Sequence, residues 1–75
     1  MPGPVYKIVE LVGTSEVSVS EAVQNAVRRA SSTLQNLDWF EVGETRGSIK
    51  DGRVFEFQVA VRIGYRLGAD EELRA

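Results

Sequence analysis

The side chains that most enzymes use for nucleophilic or proton-transfer chemistry are missing from this chain. It has no histidine and no cysteine among its 75 residues. The commonest general base, the commonest metal ligand and the thiolate nucleophile are therefore absent. The carboxylates show no spacing that pairs them for acid–base work. "GTS" at Gly13 to Ser15 has one glycine and is no phosphate loop. No catalytic residue and no metal site is expected. What remains is stacking and hydrogen bonding. The stretch "LDWFEV", Leu37 to Val42, holds the only tryptophan. In a strand, successive side chains point to opposite faces, so Trp39 and Phe40 cannot share one core. If Phe40 faces inward, Trp39 faces outward, beside the side chains of Gln58, Arg62 and Arg66. A large aromatic next to a few polar groups suits a planar ligand with a polar edge. The plainer reading is an interface aromatic that packs on another chain.

The elements that position these residues follow from pattern. Val5 to Val12 is rich in Val, Ile, Leu and Tyr and predicts a strand, broken by "GTS". Apolar residues at Val19, Ala22, Val23, Ala26, Val27, Ala30, Leu34 and Leu37 recur at spacings of three and four, which predicts one helical stripe. "SVSE", Ser18 to Glu21, fits a capping box, with Ser15 as a competing cap. "SST" at Ser31 to Thr33 predicts a weak last turn. "KDGR", Lys50 to Arg53, centres on the Asp-Gly that a type I′ hairpin turn favours. With Asp51 and Gly52 as the loop, Val42 meets Val61, Phe40 meets Ile63, Glu41 meets Arg62 and Trp39 meets Gly64. The Glu41–Arg62 pair reads as a surface ion pair of small worth. Phe55, Phe57, Val59, Val61, Ile63, Tyr65 and Leu67 share the face that covers the helix, joined by Phe40 and Val42. Trp39 lies on the far side.

The helix crossover returns the chain parallel to its first strand, and the hairpin reverses it. An all-antiparallel sheet then requires strand order 1-3-2, so the expected fold is α+β, a β-α-β-β chain with one helix on a three-stranded antiparallel sheet. One domain spans 1–75, with an ordered core of about 5–67 and tails at 1–4 and 68–75. A core this small supplies only about 3–5 kcal/mol, and disulfide and thiolate-metal staples are excluded, which leaves exceptional packing or oligomerisation. The formal net charge of −2 gives no basic field for nucleic acid. No apolar run is long enough for a membrane span and no signal peptide is apparent, which reads as cytoplasmic.

The segments "VYKIVELVGTS", "LDWFEV", "RGSI", "FQVAV" and "GYRL", in this order and spacing, resemble a dodecin. The likeness runs from Val5 to Leu67. It implies a flavin-binding homododecamer, a hollow shell in which two flavins stack between symmetry-related tryptophans while a glutamine contacts the isoalloxazine. The matching residues are Trp39 and Gln58. The bacterial branch implies flavin mononucleotide (FMN) contacts at Asp38, Arg46 and Arg66, with riboflavin or FAD as other flavins. It also implies possible coenzyme A binding, for which Tyr6, Lys7, Arg29, Thr33 and Arg66 are candidates. An indole touching an excited flavin quenches it by electron donation, which suits storage or photoprotection rather than an enzyme. Trp39 and Gln58 lie about 20 Å apart along the hairpin at ~3.3 Å per residue, so a flavin touching both must lie between chains. Strict alternation puts Arg46 on the Phe40 face, away from the flavin, unless Gly43 hosts a β-bulge that shifts parity. Glu44 reads equally as a ribityl hydrogen-bond acceptor and as a solvated carboxylate. The alternative is an oligomeric structural module of the same fold without flavin.

Overall fold

The computed structural model describes residues 3–68. β1 (Tyr6–Ser15) leads into α1 (Val19–Ser31), then β2 (Leu37–Lys50) and β3 (Arg53–Arg66) form a hairpin. The sheet order is β1-β3-β2 with both pairings antiparallel. The expected α+β topology is therefore observed. The tail expected beyond Leu67 falls mostly on residues 69–75, and the start of the other tail on residues 1–2, all outside the described residues.

β1 is longer than its sequence suggested. "GTS" does not break it: Gly13, Thr14 and Ser15 pair with Val59, Gln58 and Phe57. The glycine serves close packing, since a Cβ at position 13 would overlap the carbonyl oxygen of Ala22 and lie 3.0 Å from the Ala26 Cβ. The chain turns only after Ser15, whose hydroxyl accepts from the amides of Val17 at 2.9 Å and Ser18 at 3.3 Å. Ser18 then caps α1, accepting from the Glu21 amide at 3.0 Å. The helix stops at Ser31, short of Leu34 and Leu37. Asn36 takes a positive φ of 63°, a conformation asparagine tolerates better than most residues. Leu37 then opens β2, and both leucines still pack against the core.

That core is thin. Ala22, Ala26 and Ala30 of α1 are buried against Val59, Val61 and Ile63 of β3. Small residues on the helix let it lie close to the central strand, and Asn25 Nδ2 ties it to the Thr14 carbonyl at 2.9 Å. Phe40 and Val42 are on the helix side as expected, yet they are 54% and 42% exposed. With Val19, Val23 and Val27 they line an open groove of about 550 Å³ between α1 and β2.

The hairpin register matches every pair named from sequence: Trp39 with Gly64, Phe40 with Ile63, Glu41 with Arg62, Val42 with Val61 and Lys50 with Arg53. Between them it is interrupted. Gly43 and Glu44 together oppose the stretch of β3 between Val61 and Val59, a bulge that moves the partner of Arg46 to Gln58. A compensating irregularity near Phe55 restores the original register at Ile49 and Val54.

Candidate functional site

The site is built on the sheet face opposite α1. Alternation places Tyr6, Ile8, Glu10 and Val12 of β1 on this face, with Gln58, Ala60, Arg62, Gly64 and Arg66 of β3. β2 adds Trp39 and Glu41 above the bulge, and Arg46 and Ser48 below it. Trp39 is 42% exposed. Its indole lies against Gly64, where a Cβ would overlap ring atoms Cε2, Cζ2 and Nε1. The glycine seats the inner edge of the ring, and the rest of the indole stays open.

The bulge settles the parity of Arg46. It belongs to the outer face, and its Nε donates to Oε1 of Gln58 at 3.2 Å. The Nε2 of Gln58 donates in turn to Glu56 Oε1 at 3.1 Å. Arg46 and Gln58 thus form one cluster, six β3 positions from Gly64 and Trp39, roughly 20 Å at 3.3 Å per residue. Glu44 sits in the bulge, exposed.

Between the two ends runs an ionic row across all three strands. Arg62 Nε donates to Glu41 Oε1 at 2.9 Å, and its NH1 to Glu10 Oε2 at 3.3 Å. The hydrogen bond from Arg62 to Glu41, then its charge, holds the guanidinium pKa above the ordinary arginine value. Sequence reasoning found the Glu41 half and missed Glu10. The signal was there: Glu10 alternates with Ile8 and Val12, and β1 lies beside β3.

Beside Trp39, the register shifts at Asp38. The Tyr6 hydroxyl donates to Asp38 Oδ2 at 2.8 Å, bridging the two edge strands. That hydrogen bond, with desolvation and the carboxylate charge behind it, raises the phenol pKa, and nearby Arg66 pulls it down. Tyr6, Asp38 and Arg66 therefore gather at the Trp39 end. Asn36, which the sequence reading passed over, anchors this corner: its carbonyl accepts from Arg66 N at 3.0 Å and its Nδ2 donates to Arg66 O at 3.3 Å.

The remaining coenzyme A candidates are dispersed within one chain. Lys7 pairs with Tyr65 and takes the opposite face from Tyr6. Arg29 lines a hollow with Leu11 to Thr14 and Asn25. Thr33 lies in the turn after α1, its amide bonded to Ala30 O at 3.2 Å. Among the described residues no group of three or more His, Cys, Asp or Glu is placed to hold a metal ion.

The fold and this face define a class: a small split β-α-β chain with a half-exposed aromatic and a polar row on the sheet face opposite its helix. Comparison with known proteins supplies the family. The Dodecin family description matches residues 5–68. A dodecin of Thermus thermophilus is 55% identical over 65 residues, covering 87% of this chain and 94% of that one. The dodecin structure from Streptomyces coelicolor superposes with a TM-score of 0.86 at 51% identity, covering 97% of this chain and all of that one. A tryptophan-to-phenylalanine variant of the Thermus thermophilus dodecin superposes at 0.85 with 53% identity, covering 88% and 98%. This chain belongs to the dodecin family.

Proposed function

We propose that this chain stores and photoprotects a flavin, FMN or riboflavin, as stacked pairs held between Trp39 side chains of neighbouring chains in a homododecameric shell. The observation that carries the reading is the indole of Trp39, seated against Gly64 and open on its sheet face. Stacking rewards a flat ring regardless of its edge chemistry, and the indole donates an electron to the excited flavin and quenches it. Family membership supports the reading. So does the solved tryptophan-to-phenylalanine variant of the Thermus relative, which keeps the fold without that indole.

Asp38, Arg46 and Arg66 are assigned to the flavin with Gln58, and the exposed Glu44 to a ribityl hydroxyl. Because Trp39 and Gln58 sit at opposite ends of the sheet, each flavin takes them from different chains. Tyr6, Lys7, Arg29, Thr33 and Arg66 are assigned to coenzyme A; their dispersal within one chain calls for a site completed by a neighbour. A flavin pair enclosed by two indoles leaves no face for a substrate, so the role is binding rather than turnover, and the setting is cytoplasmic. No described helix is long and apolar enough to cross a membrane.

The test is mass spectrometry of small molecules released from the denatured, purified protein, with its native mass and a flavin titration of Trp39→Ala. A flavin in the wild type, and loss of binding and quenching in an intact Trp39→Ala oligomer, is the expected result. Unchanged affinity in that variant would sink Trp39 as the stacking platform, and no flavin bound by the wild type would sink the proposal in favour of a structural module whose Trp39 face only packs on sister chains.

A further inference from the structure

Gln58 is the one neutral hydrogen-bonding side chain on the proposed site whose two ends both have charged partners. Its Oε1 accepts from Arg46 Nε at 3.2 Å, and its Nε2 donates to Glu56 Oε1 at 3.1 Å. The chemistry of these neighbours removes any ambiguity between oxygen and nitrogen. A guanidinium only donates and a carboxylate only accepts, so reversing the amide would oppose donor to donor and acceptor to acceptor. The backbone makes this possible. Glu56 is two residues from Gln58 on the same strand, and the bulge at Gly43 and Glu44 brings Arg46 directly opposite. Each end of the amide keeps capacity for one more bond, a second N–H and a second lone pair.

We infer that Glu56, with Arg46, is a positioning residue that locks the Gln58 amide and so pre-organises its remaining N–H and lone pair for a ring edge carrying adjacent carbonyl and N–H groups. This rests on the flavin reading and extends it from stacking to edge selection. An imide edge of an isoalloxazine offers such a carbonyl next to an N–H; methylation of that ring nitrogen removes the donor and leaves the stacking surface in place. Stacking on Trp39 alone would not distinguish the two rings. A fixed amide does, because methylation removes the second donor that the half-buried Gln58 oxygen is held to meet, leaving it with Arg46 alone.

The test compares riboflavin with its N3-methyl derivative by fluorescence titration of the assembled protein, in wild type and Glu56→Gln, with native mass confirming assembly. A glutamine at 56 can donate or accept, so it fits the hole but no longer dictates the Gln58 orientation. Wild type is expected to prefer riboflavin by about tenfold, the scale of one hydrogen bond. In Glu56→Gln the preference should fall to about twofold or less, mainly through weaker riboflavin binding. An unchanged preference in the variant, including equal weakening of both ligands, would overturn the inference. A second measurement is independent of flavin. In ligand-free protein labelled with 15N-glutamine, the two Nε2 protons of Gln58 should be widely separated in shift and should converge in Glu56→Gln. If wild type binds no flavin, the storage reading fails, and this spectrum alone decides whether the amide is locked; identical Gln58 signals in the two proteins would overturn that too.

Discussion

Trp39 and Gly64 act as a unit, because the sheet gives the indole a place to lie only where the opposing residue has no side chain. Gly64→Ala should lift the ring and weaken flavin binding about tenfold, roughly the worth of one aromatic contact. Assembly should survive, since the new methyl displaces an exposed ring. Fluorescence titration checks this; wild-type affinity would mean that the seat of the indole is irrelevant. Tyr6 gives a second prediction at this scale. Its bond to Asp38 raises the phenol pKa above the ordinary 10.0. A raised folded-state value means that the bond's contribution is full below the unfolded phenol pKa and is lost as pH climbs through the folded one. Spectrophotometric titration, with Tyr6→Phe subtracted, should show Tyr6 ionising above pH 10.0, and Asp38→Asn should bring it down. An ordinary midpoint in wild type would mean the bond is not kept in solution.

Among the elements, Gly64 and Gly13 have separate duties. Gly64 accommodates a ring on the outer face, whereas Gly13 lets α1 lie on β1. Its missing side chain leaves room for the Ala22 carbonyl and the Ala26 methyl, and backbone cannot rotate away as a side chain can. Gly13→Ala should therefore destabilise by about 1–3 kcal/mol, the range for overpacking. Measured as the thermal midpoint at fixed protein concentration, this should show a clear drop, while the flavin site of the folded fraction keeps its affinity. No change in midpoint would mean that the helix has slack here. The same comparison shows how sequence patterns mislead. "GTS" looked like punctuation because glycine and serine mark turns. Here the glycine is a packing residue inside β1, and only Ser15 makes the turn.

For the whole molecule, the described residues leave several large apolar side chains uncovered. Beyond Ser15 and Phe57, β1 no longer flanks the hairpin, and β2 and β3 run on as a two-stranded arm. Ile49 and Val54 on it are 76% and 63% exposed. Phe40 and Val42 stand open in the groove beside α1. Isolated two-stranded ribbons are marginal in water, so these surfaces fit contacts with other copies. Light scattering at micromolar concentration should find a particle of about twelve chains, the oligomer the family implies, and a stable folded monomer would contradict a shared pocket. Division of the site between chains has a sharper test. Gln58→Leu should weaken flavin binding by about 1–2 kcal/mol with stacking retained. Hetero-oligomers of Trp39→Ala and Gln58→Leu chains should contain some pockets with both wild-type residues. A fraction of sites should bind more tightly than in either parent, and its absence would place both contacts in one chain.

The sequence by itself determined the helical stripe, the hairpin turn, the strand order and the pairing of Trp39 with Gly64. Each is a local or nearest-neighbour matter: a 3.6-residue or two-residue period, the positive φ of an Asp-Gly turn, a parity count from that turn. Segment likeness was enough to reach the family as well. Tertiary structure alone decided whether Arg46 faces the site, because one bulge residue inverts the parity of a strand until a second irregularity restores it, and the cost of a bulge depends on all three strands. It also decided the Glu10–Arg62–Glu41 row, the bridge from Tyr6 to Asp38 and the fixed Gln58 amide. These join residues from strands that only the folded sheet brings side by side, where side-chain reach and geometry, rather than sequence period, select the partner.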